Sequence, residues 1–334
     1  MSVQAPSSVV IVRPHHFSSN PETAIDNAFQ RIDPERSPAE IAAAAYDDAT
    51  RLAEALEGAG ITVHLFDDEE HRPDSVFPNN WFSTHAGGRV AVFPMFSPAR
   101  RLERRSDVLE LLKQRYRVQE IIDYSGLELD GLFLEGTGAM VLDNLNRTAY
   151  VARSNRADPV ILERFCTVFG YEPMVFDAEY EGVPIYHTNV MMCIGTEFAL
   201  VGLDLLTDPA RRAEIADRLA EQGRELIRLS NTQIAEFAGN AIELHGTQGR
   251  ILAMSARAEA SLAPEQRAVI ERSARILAVD VSTIELEGGS VRCMIAGIHL
   301  DRRPVPVDAA DALAGQVTSR RQVVSAPMAS STTA

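Results

Sequence analysis

Short apolar runs alternate along the chain with longer stretches in which apolar residues recur at helical spacing. Runs at 9–12, 61–66, 90–93, 148–152, 199–202, 251–254 and 291–295 are brief and flanked by turn residues, the pattern of buried strands. Between them lie amphipathic helices. The clearest begins at Ser37-Pro38-Ala39-Glu40, where a capping hydroxyl, a proline at the first helical position and a glutamate three residues on satisfy the free amides of the first turn. It is predicted to run to Gly58. A second starts near Thr207-Asp208-Pro209 and carries AEIADRLAEQGRELIRL, and a third starts near Pro264 and continues through EQRAVIERSARIL. Each is followed by a strand-like run, so the fold class is α/β. The strand, helix, strand rhythm returns at intervals of roughly 60 residues without an exact repeat.

Periodicity stops near Asp308, and the remainder ends in Ser, Thr and Ala. The expectation is one domain over 1–307 and a flexible tail over 308–334. The 334 residues are 46% hydrophobic and 24% charged, ordinary for a globular protein with a sizeable core. With 47 acidic against 32 basic residues, the net charge of −15 would repel a phosphate backbone or an anionic membrane surface. Neither nucleic acid nor membrane is an expected partner. No apolar run approaches the roughly 18 to 20 residues that span a bilayer, and no basic segment precedes the short apolar stretch near the start. The expected location is the cytoplasm. Cys166, Cys193 and Cys293 are too few and too widely spaced for a disulfide framework or a structural zinc site. Each is a buried hydrophobe or a reactive thiol, and the first is the default.

Four polar clusters lie at the ends of apolar runs: PDSVFPNNW from Pro73, LEGTG from Leu134, YHTN from Tyr186, and EGGSVRC ending at Cys293. Polar loops at strand ends are where an α/β scaffold places a site. Cys293 follows two glycines that let the backbone approach a ligand closely. A cysteine nucleophile needs a base, and His187 with Glu135 would supply a proton shuttle and its orienting carboxylate. Taken one at a time, these three are more often a buried thiol, a turn histidine and a surface glutamate.

Together with PARRLE and SNRA, and in the same order, the four clusters resemble the site segments of the pentein superfamily of guanidino-group-modifying enzymes, from about Asp74 to Cys293. IVRPHHFSSNPETAIDNAFQ and FAGN at 237–240 are closest to its amidinotransferase-like branch, which includes citrulline-utilisation hydrolases. The resemblance implies a five-bladed ββαβ propeller with no metal or organic cofactor. It makes Cys293 the nucleophile, His187 the general acid/base and Glu135 the carboxylate at the reacting carbon. Asp74 and Asn80 fall on guanidinium-binding aspartates of the family, as does Asn189, while Arg100 and Arg156 match arginines that bind a substrate α-carboxylate. Arg101, Arg104 and Arg105 read as a solvated basic face. Asn79 and Asn240 read as structural, and His85, Cys166 and Cys193 as packing residues.

Asn80 and Asn189 stand where carboxylates are expected. A guanidinium offers only N–H donors and suits carboxylates, whereas a ureido group presents a carbonyl as well, and a carboxamide can answer both. The expected substrate is therefore citrulline, hydrolysed to ornithine, carbon dioxide and ammonia with protonated His187 helping the nitrogen leave. An arginine dihydrolase ending at ornithine is the alternative, with a plain deiminase third. An amidinotransferase and a non-catalytic pentein used for binding are rivals of other kinds. The expected partner is a small amino acid, and a homo-oligomer is compatible with the sequence.

Overall fold

The computed structural model describes residues 3–304, except 25, 69 and 222. The tail expected over 308–334 lies outside the described residues. In chain order the strands are β1 (Ser8–Pro14), β2 (Thr62–Asp68), β3 (Phe82–His85), β4 (Arg89–Val92), β5 (Glu120–Asp123), β6 (Met140–Asp143), β7 (Thr148–Ala152), β8 (Glu172–Phe176), β9 (Glu179–Tyr180), β10 (Val183–Pro184), β11 (Met192–Ile194), β12 (Phe198–Val201), β13 (Glu225–Arg228), β14 (Ile242–Gly246), β15 (Gly249–Ser255), β16 (Arg275–Val279) and β17 (Ala296–Gly297).

They form an α/β fold of mixed sheets with one recurring unit. An antiparallel pair leads into helix and then a third strand that returns parallel to the second, because a parallel return needs a crossover. The units are β3-β4-β5, β6-β7-β8, β11-β12-β13 and β14-β15-β16. The fifth joins the two ends of the described chain. There β1 pairs in parallel with β2 across the helix Pro38–Gly58, and β17 adds antiparallel to β1 through Val9↔Gly297. The first strands of these five units line one polar cavity, with Thr84, Leu142, Cys193, Ile242 and Ala296 among its walls, while β9 and β10 form a separate two-stranded sheet. Four apolar clusters fill the spaces between sheets and helices.

The helix starts are written alike in three units. Ser37 accepts from Glu40 N–H, Asp158 from Val160 and Ile161 N–H, and Asp208 from Ala210 N–H, each with proline next in sequence. Six of the seven expected strands form. The run 291–295 does not: it is a succession of turns, with Cys293 N–H donating to Ser290 C=O at 2.9 Å, and the short β17 follows it. Two helices stop earlier than the pattern suggests. One ends at Ala220, Gly223 adopts φ 77°, and Glu225–Arg228 becomes β13. The other ends at Glu271, and Arg275–Val279 pairs with β15 as β16. Among the described residues no helix is long and apolar enough to cross a membrane.

Candidate active site

Five polar side chains converge because each precedes the first strand of its sheet. Asn80 ends the turn before β3, Glu135 opens the helical turn before β6, Asn189 lies in the turn before β11, Asn240 precedes β14, and Cys293 precedes β17. His187 sits two residues before Asn189. Cys293, His187, Asp74, Asn80, Arg100 and Arg156 line one pocket with Glu287. The space between them is small, about 290 Å³ even when the open mouth is counted.

The Cys293 thiol is buried and faced by two carboxamides. Asn240 Nδ2 lies 3.2 Å and Asn189 Nδ2 3.3 Å from Sγ. Asn240's orientation is fixed, since its Oδ1 accepts from the backbone N–H groups of Ser290 at 3.2 Å and Arg292 at 3.1 Å. The sulfur is thus met by donors that can stabilise negative charge on it. Asn240, read as structural from the sequence, thus contacts the thiol, and Asn189, expected to bind a guanidinium, lies against it as well. Asn79 does act structurally, its carbonyl accepting from Thr137 Oγ1 at 3.2 Å.

His187 Nε2 lies 2.8 Å from Glu135 Oε2, and both side chains are buried. Burial would raise the Glu135 carboxyl, but Arg156, the bond to His187 and Arg100 outweigh it and hold Glu135 well below the usual carboxylate range. Burial also lowers His187, to about 4, because Arg156 and Arg100 add to desolvation and the attraction of Glu135 does not compensate. A value near 4 favours the neutral imidazole in the empty site, so the protonated acid expected during turnover has to form there. Gly138 makes room for it: a Cβ there would stand 2.8 Å from His187 Nδ1.

Arg100 is buried with its Nε–Nη2 edge held by Glu103 at 2.9 and 3.0 Å; Nε also lies 3.7 Å from Asp74 Oδ2, and Nη1 lies 3.5 Å from Glu135 Oε2. The Asn80 carboxamide is satisfied when its oxygen accepts from Arg100 Nη1 and Nη2, both at 3.1 Å. Asp74, Glu135 and Asn80 thus surround a guanidinium, the group they are expected to bind. Arg156, also buried, pairs with Asp26 and stacks on the Tyr186 ring at 4.9 Å. Its Nη1 is 3.6 Å from Glu135.

Sequence reasoning passed over Asn20, Asp26, Asn27 and Glu287. Asn20 Nδ2 donates to Asp74 Oδ2 at 2.6 Å, and Glu287 accepts from Asn20 N–H at 3.2 Å and Gln30 Nε2 at 2.8 Å. Burial, with Asp74 nearby, pushes Glu287 up to about 8, so it carries a proton at pH 7. The available signal for the first three was their place in an aperiodic polar stretch between β1 and the first helix, and for Glu287 its position at the start of EGGSVRC. Arg101, Arg104 and Arg105 are not a free basic face. They bind Met95 C=O, Glu128 and Asp107. Cys166 and Cys193 are buried, and burial pushes both thiols up to about 12, as befits packing residues.

The chain is a pentein of the C–N hydrolase type. It belongs to the family described as N,N dimethylarginine dimethylhydrolase, eukaryotic, whose sequence profile matches residues 13–300. No curated protein gives a significant match. ArgZ, an arginine dihydrolase from the ornithine-ammonia cycle in cyanobacteria, is similar at TM-score 0.67 and 16% identity over 90% of this chain and 41% of that one. The N-terminal domain of ArgZ bound to substrate gives 0.69 and 15%, covering 88% and 98%. The chain thus spans about two fifths of full-length ArgZ and nearly all of its N-terminal domain. A dimethylarginine dimethylaminohydrolase adduct with S-methyl-L-thiocitrulline gives 0.58 and 14%, covering 88% and 100%. At these identities the likeness is one of fold.

Proposed function

We propose that the protein is a cysteine hydrolase that strips the guanidino or ureido carbon from a free amino acid, taking arginine or citrulline to ornithine. The observation that carries this reading is the meeting of two environments at Cys293: a pocket in which Asp74, with Glu135 behind it, faces a guanidinium, and the carboxamides of Asn189 and Asn240 on the sulfur. The first suits the N–H groups of arginine, and the second presents N–H donors to charge developing on the carbonyl of a ureido intermediate. The same reading takes the five sheets as blades of a propeller within one catalytic domain.

In this mechanism neutral His187 takes the Cys293 proton, and the sulfur attacks the trigonal carbon while Asp74 and Glu135 hold its N–H groups. Imidazolium then forms beside Glu135 and returns the proton to the departing nitrogen, so ammonia leaves and a C–S bond remains. His187 next deprotonates water, which attacks the adduct and breaks that bond to give the ureido group. A second round converts this group to a carbamate, which decomposes. Arginine plus two waters gives ornithine, carbon dioxide and two ammonia. Asn189 and Asn240 stabilise charge near sulfur and oxygen throughout.

Incubation of the purified protein with arginine, citrulline and N,N-dimethylarginine in turn, with products quantified, tests the proposal. Ornithine should form from arginine and citrulline, with two ammonia per ornithine from arginine. Citrulline as the end product from arginine, or dimethylamine release alone, would contradict it.

A further inference from the structure

Both arginines expected to bind an α-carboxylate already hold protein carboxylates along their bidentate edges, but the two pairs differ in kind. Arg100 is paired with Glu103, three residues away on the same short helix, so the two move together. Arg156 is paired with Asp26, which lies 130 residues away in sequence on the segment between β1 and the first helix. Asp26 Oδ2 accepts from Arg156 Nε at 3.2 Å, and Oδ1 accepts from Nη2. With Tyr186 on one face and Glu135 near Nη1, Arg156 has no second bidentate edge free for a ligand. Asp26 itself keeps more solvent contact than Arg156, with 19% of its side chain exposed against 2%. The segment has other anchors nearby: Asn20 on Asp74, Glu22 on Ala99 N–H at 3.2 Å, and Asn27 on Glu287 C=O at 2.9 Å.

We infer that Asp26 is a specificity residue that holds the place of the substrate's α-carboxylate on Arg156 and must be displaced when substrate binds. The inference rests on the proposed reading of Arg156 as the carboxylate ligand. An internal competitor lowers apparent affinity by the fraction of time it occupies the site. It penalises ligands that use Arg156 and leaves decarboxylated guanidines such as agmatine unaffected.

The test is steady-state kinetics of the full chain carrying Asp26→Asn, Asp26→Ser and Asp26→Glu. Asparagine and serine should lower KM for arginine and citrulline by roughly threefold to tenfold without a fall in kcat. Glutamate should restore a KM near that of the unaltered chain, and KM or Ki for agmatine should not improve in any variant. The three neighbouring anchors should keep the first two variants folded, which their thermal unfolding would verify. A KM unchanged or raised in both variants would overturn the inference, since Asp26 would then be structural or would assist the substrate. If no variant turns over arginine or citrulline, the functional reading fails, and calorimetry with ornithine then tests the inference alone. Tighter ornithine binding in Asp26→Asn supports it, and equal, weaker or absent binding removes it.

Discussion

At the scale of single residues, the account turns on which groups touch sulfur. Asn240 accepts two backbone N–H bonds through Oδ1 and so must present its N–H₂ to Cys293. Asn240→Asp would keep both backbone bonds while replacing a donor at sulfur by a negative oxygen. The variant should fold normally, lose roughly 100-fold or more in kcat, and react several-fold more slowly with iodoacetamide at Cys293. Kinetics and alkylation rate measure this. Cys293, His187, Glu135, Asp74 and Asn80 were legible because each sits in a short motif whose order resembles the pentein site segments. Asn240 was marked only as the end of FAGN, which resembles one branch of the superfamily without indicating a contact to the thiol, because that contact depends on a loop 53 residues away in sequence. The protonation of His187 was likewise invisible, being decided by the depth of burial and two arginines brought in by folding.

At the scale of elements, local signals were read well where they act locally. Ser37 accepts from Glu40 N–H at 3.3 Å while Glu40 Oε2 accepts from Ser37 N–H at 2.8 Å, the reciprocal cap expected from Ser-Pro-Ala-Glu. Ser37→Ala should cost about 1 kcal/mol in urea unfolding without altering kinetics. The failures were at boundaries that pairing decides. The stretch 225–228 continues a helical pattern, yet the backbone at Gly223 breaks it and β12 recruits the next residues in parallel. The apolar run 291–295 has a strand's composition, but its backbone bonds close turns, and these bring Cys293 to the carboxamides. Apolar composition records burial, and burial alone does not choose between strand and turn.

At the scale of the whole molecule, five similar units place their first strands side by side, so the segments entering those strands meet at one place. The rhythm of strand and helix was visible in the sequence. The pairing of β17 with β1 was not, because two residues of strand leave no pattern. The fold also stores buried histidines. Burial holds His64, His187 and His299 down to about 4 and His85 well below its ordinary value of 6.5. A folded value below the unfolded one means that their contribution is complete above pH 6.5 and is lost as pH falls towards 4. Glu287 and Glu103, both raised to about 8, act oppositely, their contributions being complete below the ordinary 4.5 and fading as pH rises through 8. Burial raises Asp48, Glu243 and Glu285 in the same sense. The histidine share is therefore read at the imidazoles themselves, which NMR titration of the folded chain should show uncharged at pH 5. Imidazoles that charge between pH 7 and pH 5 without unfolding would contradict this. The central claim is that Cys293 carries the reacting carbon, and acid quenching during turnover of arginine, followed by peptide mass mapping, tests it most directly. A covalent adduct is expected on the peptide containing Cys293, absent in Cys293→Ala, which should not turn over. An unmodified Cys293 peptide together with undiminished turnover by Cys293→Ala would contradict it.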